Sequence, residues 1–204
     1  MLDKTNKQIF IHIPKCMGSS IETFILQVNN LPMNYYPNSP NMHNYLGENK
    51  KFLKDYNMFC KAAINHLTIE DFKKIIDVTE YNSFSIVRNP YTRFISAYYF
   101  AYQNRMSFDT FIETFDTNLI YENDLYLTHQ FNYICNSSKE IIVDTILKFE
   151  NPKEINTYLN EIYNSNIVMS HEKKNGKIII LNEKQKEKIY NYYIEDFLIF
   201  GYDK

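Results

Sequence analysis

The sequence has no tryptophan, only 4 glycines and 6 prolines, and 3 cysteines in 204 residues. The cysteines (Cys16, Cys60 and Cys135) form neither a disulfide framework nor a zinc motif, so a reducing compartment is the simpler expectation. No stretch of about 20 apolar residues occurs, and no membrane-spanning helix is expected. The N-terminal MLDKTNK is polar, and the apolar run after it is too short for a signal peptide. These absences point to a cytoplasmic location. An excess of one charge is missing too. Lys and Arg number 22 against 24 Asp and Glu, a net charge of −2. Nothing global therefore points to nucleic acid or an anionic membrane, and any basic site must be local. What remains is 45% apolar, enough for a real core, and the length suits one domain over residues 1–204.

Strand and helix patterns alternate along the chain. Residues 9–13 (IFIHI) are β-branched and aromatic and stop at Pro14, as a short buried strand does. A helix is expected over 20–28, with Ser19 or Ser20 as its cap and Glu22 in its first turn. Residues 29–50 are rich in Asn and Pro and predict a long irregular segment. Residues 59–64 (FCKAAI) and 83–87 (SFSIV) predict strands, with a Thr-capped helix over 68–77 between them. Asn89-Pro90 starts a helix to about Gln103. A short helix is expected over 109–115, a fourth strand over 146–149, and helices over 152–163 and 183–197. Alternation of this kind predicts an α/β fold with a central parallel sheet flanked by helices.

Against the scarcity of glycine, the stretch FIHIPKCMGSS (10–20) stands out. A loop between a strand and a helix N-terminus turns unpaired N–H groups towards one point, where the helix dipole adds positive charge. Gly18 permits close backbone approach, Lys15 adds a full charge, and Ser19 and Ser20 add hydroxyls. The result is a phosphate cradle. It is not a Walker loop, because the lysine precedes the glycine. It is not a cysteine-phosphatase loop either, because Glu22 stands where an arginine is needed. An ordinary strand-to-helix turn is the plain alternative.

HIPKCMGSSIE resembles the 5′-phosphosulfate loop of sulfotransferases that use 3′-phosphoadenosine 5′-phosphosulfate (PAPS), in particular the carbohydrate branch, with Cys16-Met17 where Thr and Ala or Gly are usual. FSIVRNPYTRFISAY (84–98) is similar to the family's second signature, an arginine at a strand end and a serine eight residues on. The resemblance extends to 128–134 (THQFNYI), 146–151 and 193–203. It implies a P-loop NTPase-like sulfotransferase fold. Loop residues 15–20 (Lys15, Cys16, Met17, Gly18, Ser19, Ser20) would bind the 5′-phosphosulfate, and Arg88 and Ser96 the 3′-phosphate. Arg93 would be structural. It further implies sulfuryl transfer to a hydroxyl, by analogy a carbohydrate hydroxyl, with PAP as product and no metal.

Sulfuryl transfer needs a base for the acceptor hydroxyl and stabilisation of the leaving phosphate. Lys15 and the loop amides suit the second task. His66, after the strand expected at 59–64, is the candidate base, since its pKa is near neutrality and the sheet edge is where ligands bind. Glu22 is the second candidate. A histidine bonded to backbone is the plain reading of His66, and a structural histidine that of His12. Cys16 at a helix N-terminus could have a depressed pKa. HEKKNGK (171–177) could be a lid or a solvated loop. Two rivals stay open: a nucleotide-dependent phosphotransferase, which would need Mg²⁺ and a metal-holding Asp, and a binding protein on a degenerate sulfotransferase fold.

Overall fold

Residues 1–30, 66–116, 124–169 and 179–204 are described in the computed structural model of the protein. The strand expected at 59–64, His43, Cys60, His171 and the basic stretch 171–177 lie outside the described residues.

The first long apolar run gives β2 (Gln8–Ile11), all four residues of which are buried. It is shorter than the pattern predicts: His12 and Ile13 lie just beyond its end. A strand the sequence did not announce, β1 (Leu2–Asp3), pairs antiparallel with it. β3 (Asn82–Val87) and β4 (Thr145–Lys148) extend the sheet in parallel, in the order β1-β2-β3-β4. Among the described residues this is a four-stranded, mostly parallel sheet flanked by helices, an α/β fold. Near-continuous burial of β2 and β3 is what a parallel strand covered on both faces requires.

The helices are α1 (Gly18–Val28), α2 (Ile69–Ile75), α3 (Pro90–Ala97), α4 (Phe108–Thr114), α5 (Phe131–Ile134), α6 (Pro152–Ile162), α7 (Glu183–Tyr192) and α8 (Ile194–Phe200). Three begin as their sequences dictate. Thr68 and Asp71 form a capping box on α2, Asn182 and Gln185 another on α7, and Asn89 caps α3 ahead of Pro90. Other expectations need correction. α1 is capped by no serine; its N-cap is Met17, which makes no side-chain cap bond. The helix expected to 103 leaves α geometry after Ala97 and becomes a π-helical turn over Tyr98–Tyr102. The last helix divides at Tyr193, whose buried hydroxyl donates to the Leu127 carbonyl.

Two apolar clusters form. One joins Ile9, Ile11, Phe84 and Ile86 of the sheet to Ile21, Phe24 and Ile25 of α1 and Ile155 and Leu159 of α6. The other gathers aromatics around α3: Phe94, Tyr98, Tyr102, Phe111, Phe115 and Tyr193. The π-helical turn points Tyr98 and Tyr102 into that second cluster and leaves Phe100 outside it.

Candidate active site

The loop between β2 and α1 is built against backbone preference. Lys15 (φ 67°) and Met17 (φ 72°) both sit in the left-handed region without being glycine. Such conformations cost about 1–3 kcal/mol each and persist only where the surroundings fix them. Here three long-range bonds do so. The Arg93 Nε–H donates to the Pro14 carbonyl (3.0 Å), the Arg88 guanidinium to the Lys15 carbonyl (3.1 Å), and the Cys16 thiol to Gln130 Oε1 (3.2 Å). The alternation turns successive amides to one side, as in an anion-binding nest. Ser20 and Ile21 donate to the Met17 carbonyl. The amides of Met17, Gly18 and Ser19 donate to no described residue. Three free donors at the head of an 11-residue helix, with a lysine beside them, fit a phosphate or sulfate group.

Gly18 serves a purpose different from the one its neighbourhood suggests. Its backbone is not left-handed; a β-carbon there would fall 1.8 Å from His12 Nε2. The His12 ring fills the space under the loop. His12 Nδ1 lies 2.9 Å from Glu22 Oε1, and both residues are buried. Glu22 is therefore not in the first turn of α1, as expected, but its fifth residue, with its side chain turned inward to His12.

The Lys15 ammonium is half-buried and lies 3.8 Å from the centre of the Phe100 ring, which is 61% exposed. Burial, reinforced by the Arg88 charge, lowers its pKa to about 8. Cys16 is the reverse of a reactive loop thiol. Its side chain is 1% exposed and turns inward, and burial pushes its pKa up to about 12. With the thiol turned to Gln130 and its amide donating to the Ile13 carbonyl (3.3 Å), position 16 offers an anion no free donor, a correction to the contact expected there. Met17 is half-buried, Ser19 exposed and Ser20 buried within the first turn.

Arg88 sits at the end of β3, its guanidinium stacked on Phe149 (4.1 Å) and its Nε–H bonded to Thr92 Oγ1 (3.0 Å). Lys15 and Arg88 are thus brought together through the Lys15 carbonyl. Ser96 lies half-buried in α3, and among the described residues no hydrogen bond ties its side chain to this cluster. Arg93 is fully buried and bonded to the Pro14 and Thr128 carbonyls, a structural role.

His66 joins the loop from the other side. Its Nδ1 is 2.7 Å from the His12 carbonyl oxygen, and its ring centre is 4.2 Å from that of His12. A carbonyl only accepts, so Nδ1 carries the proton and Nε2 the lone pair. Burial, with the His12 ring nearby, lowers the His66 pKa to about 3 and keeps it neutral. The backbone bond foreseen as the plain reading is present and leaves the Nε2 lone pair uncommitted, but the lowered pKa corrects the near-neutral value expected from the sequence and makes that nitrogen a weaker base.

Sequence reasoning missed Gln130, whose fully buried amide bonds both Cys16 and Arg88, and Asp196, which holds the Gln130 and Phe131 amides. The local signals were the two family-like segments that contain them, 128–134 and 193–203. Among the described residues no three His, Cys, Asp or Glu side chains converge as a metal ion would need, and no helix is long and apolar enough to cross a membrane.

A loop with unbonded amides and an arginine stand together at the strand ends of an α/β sheet, the edge at which open α/β sheets bind ligands. Compared with known families, residues 1–203 match the sulfotransferase family, and the chain belongs to it. No curated protein and no solved structure matches the chain. Membership makes it a sulfuryl-transfer enzyme acting on a hydroxyl-type acceptor.

Proposed function

We propose that the protein, acting as one domain over residues 1–204, uses PAPS as donor and sulfates a carbohydrate hydroxyl. The observation that carries this reading is the bond from the Arg88 guanidinium to the Lys15 carbonyl, 3.1 Å long. It holds two cations at one sheet edge, on separate elements, as a ligand with an anion at each end demands. The free amides of Met17, Gly18 and Ser19 fit the 5′-phosphosulfate, and Lys15 adds its charge there. Arg88, with Ser96, holds the 3′-phosphate; guanidinium suits phosphate oxygens. The donor supplies the sulfuryl group, which passes to the acceptor oxygen as its bond to the 5′-phosphate breaks. His66 Nε2 takes the proton of the acceptor hydroxyl. Lys15 and the loop amides stabilise charge on the leaving side. The buried His12 carbonyl keeps His66 in the right tautomer. No metal takes part in this scheme, and a cytoplasmic location agrees with the buried free thiols of Cys16 and Cys135.

Thermal unfolding in PAP, in ATP, and in ATP with Mg²⁺ tests the donor. PAP at 100 times its Kd adds about 2.7 kcal/mol, on the order of 5–10 °C at this size. The reading expects PAP to exceed both ATP conditions and Arg88→Ala to abolish the shift. A larger shift with ATP and Mg²⁺ replaces it with phosphotransfer. PAP binding without sulfation of any glycan from labelled PAPS replaces it with a binding protein.

A further inference from the structure

Gln130 is fully buried immediately ahead of α5. Its Nε2 donates to the Arg88 carbonyl (2.9 Å) and its Oε1 accepts the Arg88 amide (2.9 Å), so one side chain satisfies both backbone groups of the arginine. The same Oε1 accepts the Cys16 thiol (3.2 Å). Its own amide donates to Asp196 Oδ2 (2.9 Å), and that of Phe131 to Asp196 Oδ1 (3.0 Å). A closed circuit results. From Gln130 it runs to the Arg88 backbone, through the Arg88 guanidinium to the Lys15 carbonyl, across the Lys15–Cys16 peptide, and back through the thiol.

We infer that Gln130 is a positioning residue that fixes the distance between the phosphosulfate loop and Arg88, so that both anionic ends of one donor are bound together. The inference rests on the PAPS reading above. Three features support it. The thiol at position 16 is a neutral donor spent inward, so the loop is anchored by its side chain and presents only backbone outward. The two left-handed residues, Lys15 and Met17, flank that anchor. A buried side-chain amide that holds both backbone groups of Arg88 cannot shift without leaving that N–H and C=O unpaired, which a folded interior resists.

Calorimetric titration with two probes tests this: PAP, and adenosine 5′-monophosphate, which lacks the 3′-phosphate. The ratio of their dissociation constants measures what the 3′-phosphate adds. Gln130→Met keeps the side-chain length and removes the hydrogen bonds. It is expected to weaken PAP on the order of ten- to a hundred-fold, the scale of a small misplacement of binding groups, and to bring the ratio down towards that of Arg88→Ala. The double variant Gln130→Met/Arg88→Ala should lower the ratio no further than Arg88→Ala alone. Gln130→Glu keeps an acceptor for Cys16 and the Arg88 amide but sets a buried carboxylate oxygen against the Arg88 carbonyl; it too should lower the ratio, and it carries the test if the Met variant does not fold. A wild-type ratio in either folded variant, or additive losses in the double variant, overturns the role given to Gln130 while leaving the donor assignment standing. A wild-type ratio in Arg88→Ala itself overturns the donor assignment, and the role of Gln130 with it.

Discussion

The imidazole of His12 occupies the space that a side chain at residue 18 would need: a β-carbon on Gly18 would lie 1.8 Å from Nε2. Gly18→Ala must therefore displace either the ring, which Glu22 holds at 2.9 Å, or the loop. Overpacking of this kind costs typically about 1–3 kcal/mol, a loss of roughly 2–12 °C in Tm for a chain of this size. His12→Ala alone loses packing, but Gly18→Ala/His12→Ala should be less destabilised than the two single losses added. Thermal unfolding of all three variants checks this. Strict additivity would show that the clash is relieved elsewhere.

Lys15 sets an alkaline limit. In the proposed role its charge binds the donor's anion, and burial lowers its pKa to about 8. The ammonium is present below that value and is lost as pH rises through it. The kcat/KM for the donor should fall above about pH 8. Bound anion favours the charged form, so the limb in kcat should lie higher. Lys15→Arg should remove the limb from whatever activity remains, because guanidinium does not titrate there. A pH–rate profile that keeps its limb in that variant assigns the ionisation to another group.

His66 should impose no acid limb in the ordinary range. Its pKa is lowered to about 3, so the neutral, proton-accepting form persists from pH 8 down to 5. His66→Ala should reduce turnover of labelled PAPS on the order of 10²–10⁴-fold, the usual worth of a general base. It should leave the Kd for PAP within about threefold. Near-wild-type turnover would transfer the role of base to another residue.

Phe100 is 61% exposed, with the Lys15 ammonium 3.8 Å from its ring centre and the Tyr126 ring at 5.0 Å. Truncation to Ala takes away aromatic cover beside Lys15 and exposes its ammonium to water. The alkaline limb should move upward, towards the ordinary lysine value. A pH–rate profile of the Phe100→Ala variant checks this. An unchanged profile would place the Lys15 shift on its other neighbours.

Much of the frame is legible from local pattern. The β-branched run before Pro14 marks β2, Asn89-Pro90 marks the start of α3, and the order of lysine, glycine and serine marks the loop. Each is a statement about neighbours within one or two turns, which is the range over which periodicity and capping act. The two signatures of the sulfotransferase family could be found for the same reason.

Tertiary structure decided what those residues do. Gly18 also leaves room for the His12 ring, which a β-carbon there would meet, something the local pattern did not show. Cys16 looked like a loop contact and turned inward to an amide 114 residues away. Glu22 looked like dipole compensation and was buried against His12. The π-helical turn that sends Phe100 outward depends on Tyr98 and Tyr102 finding the second aromatic cluster. Sequence by itself determined the order of the three parallel strands and of the longer helices, and the chemistry carried at their ends. The orientation and protonation of that chemistry came from contacts between distant segments, because burial and hydrogen bonding at a site are set by whatever packs against it, and no local pattern contains that information.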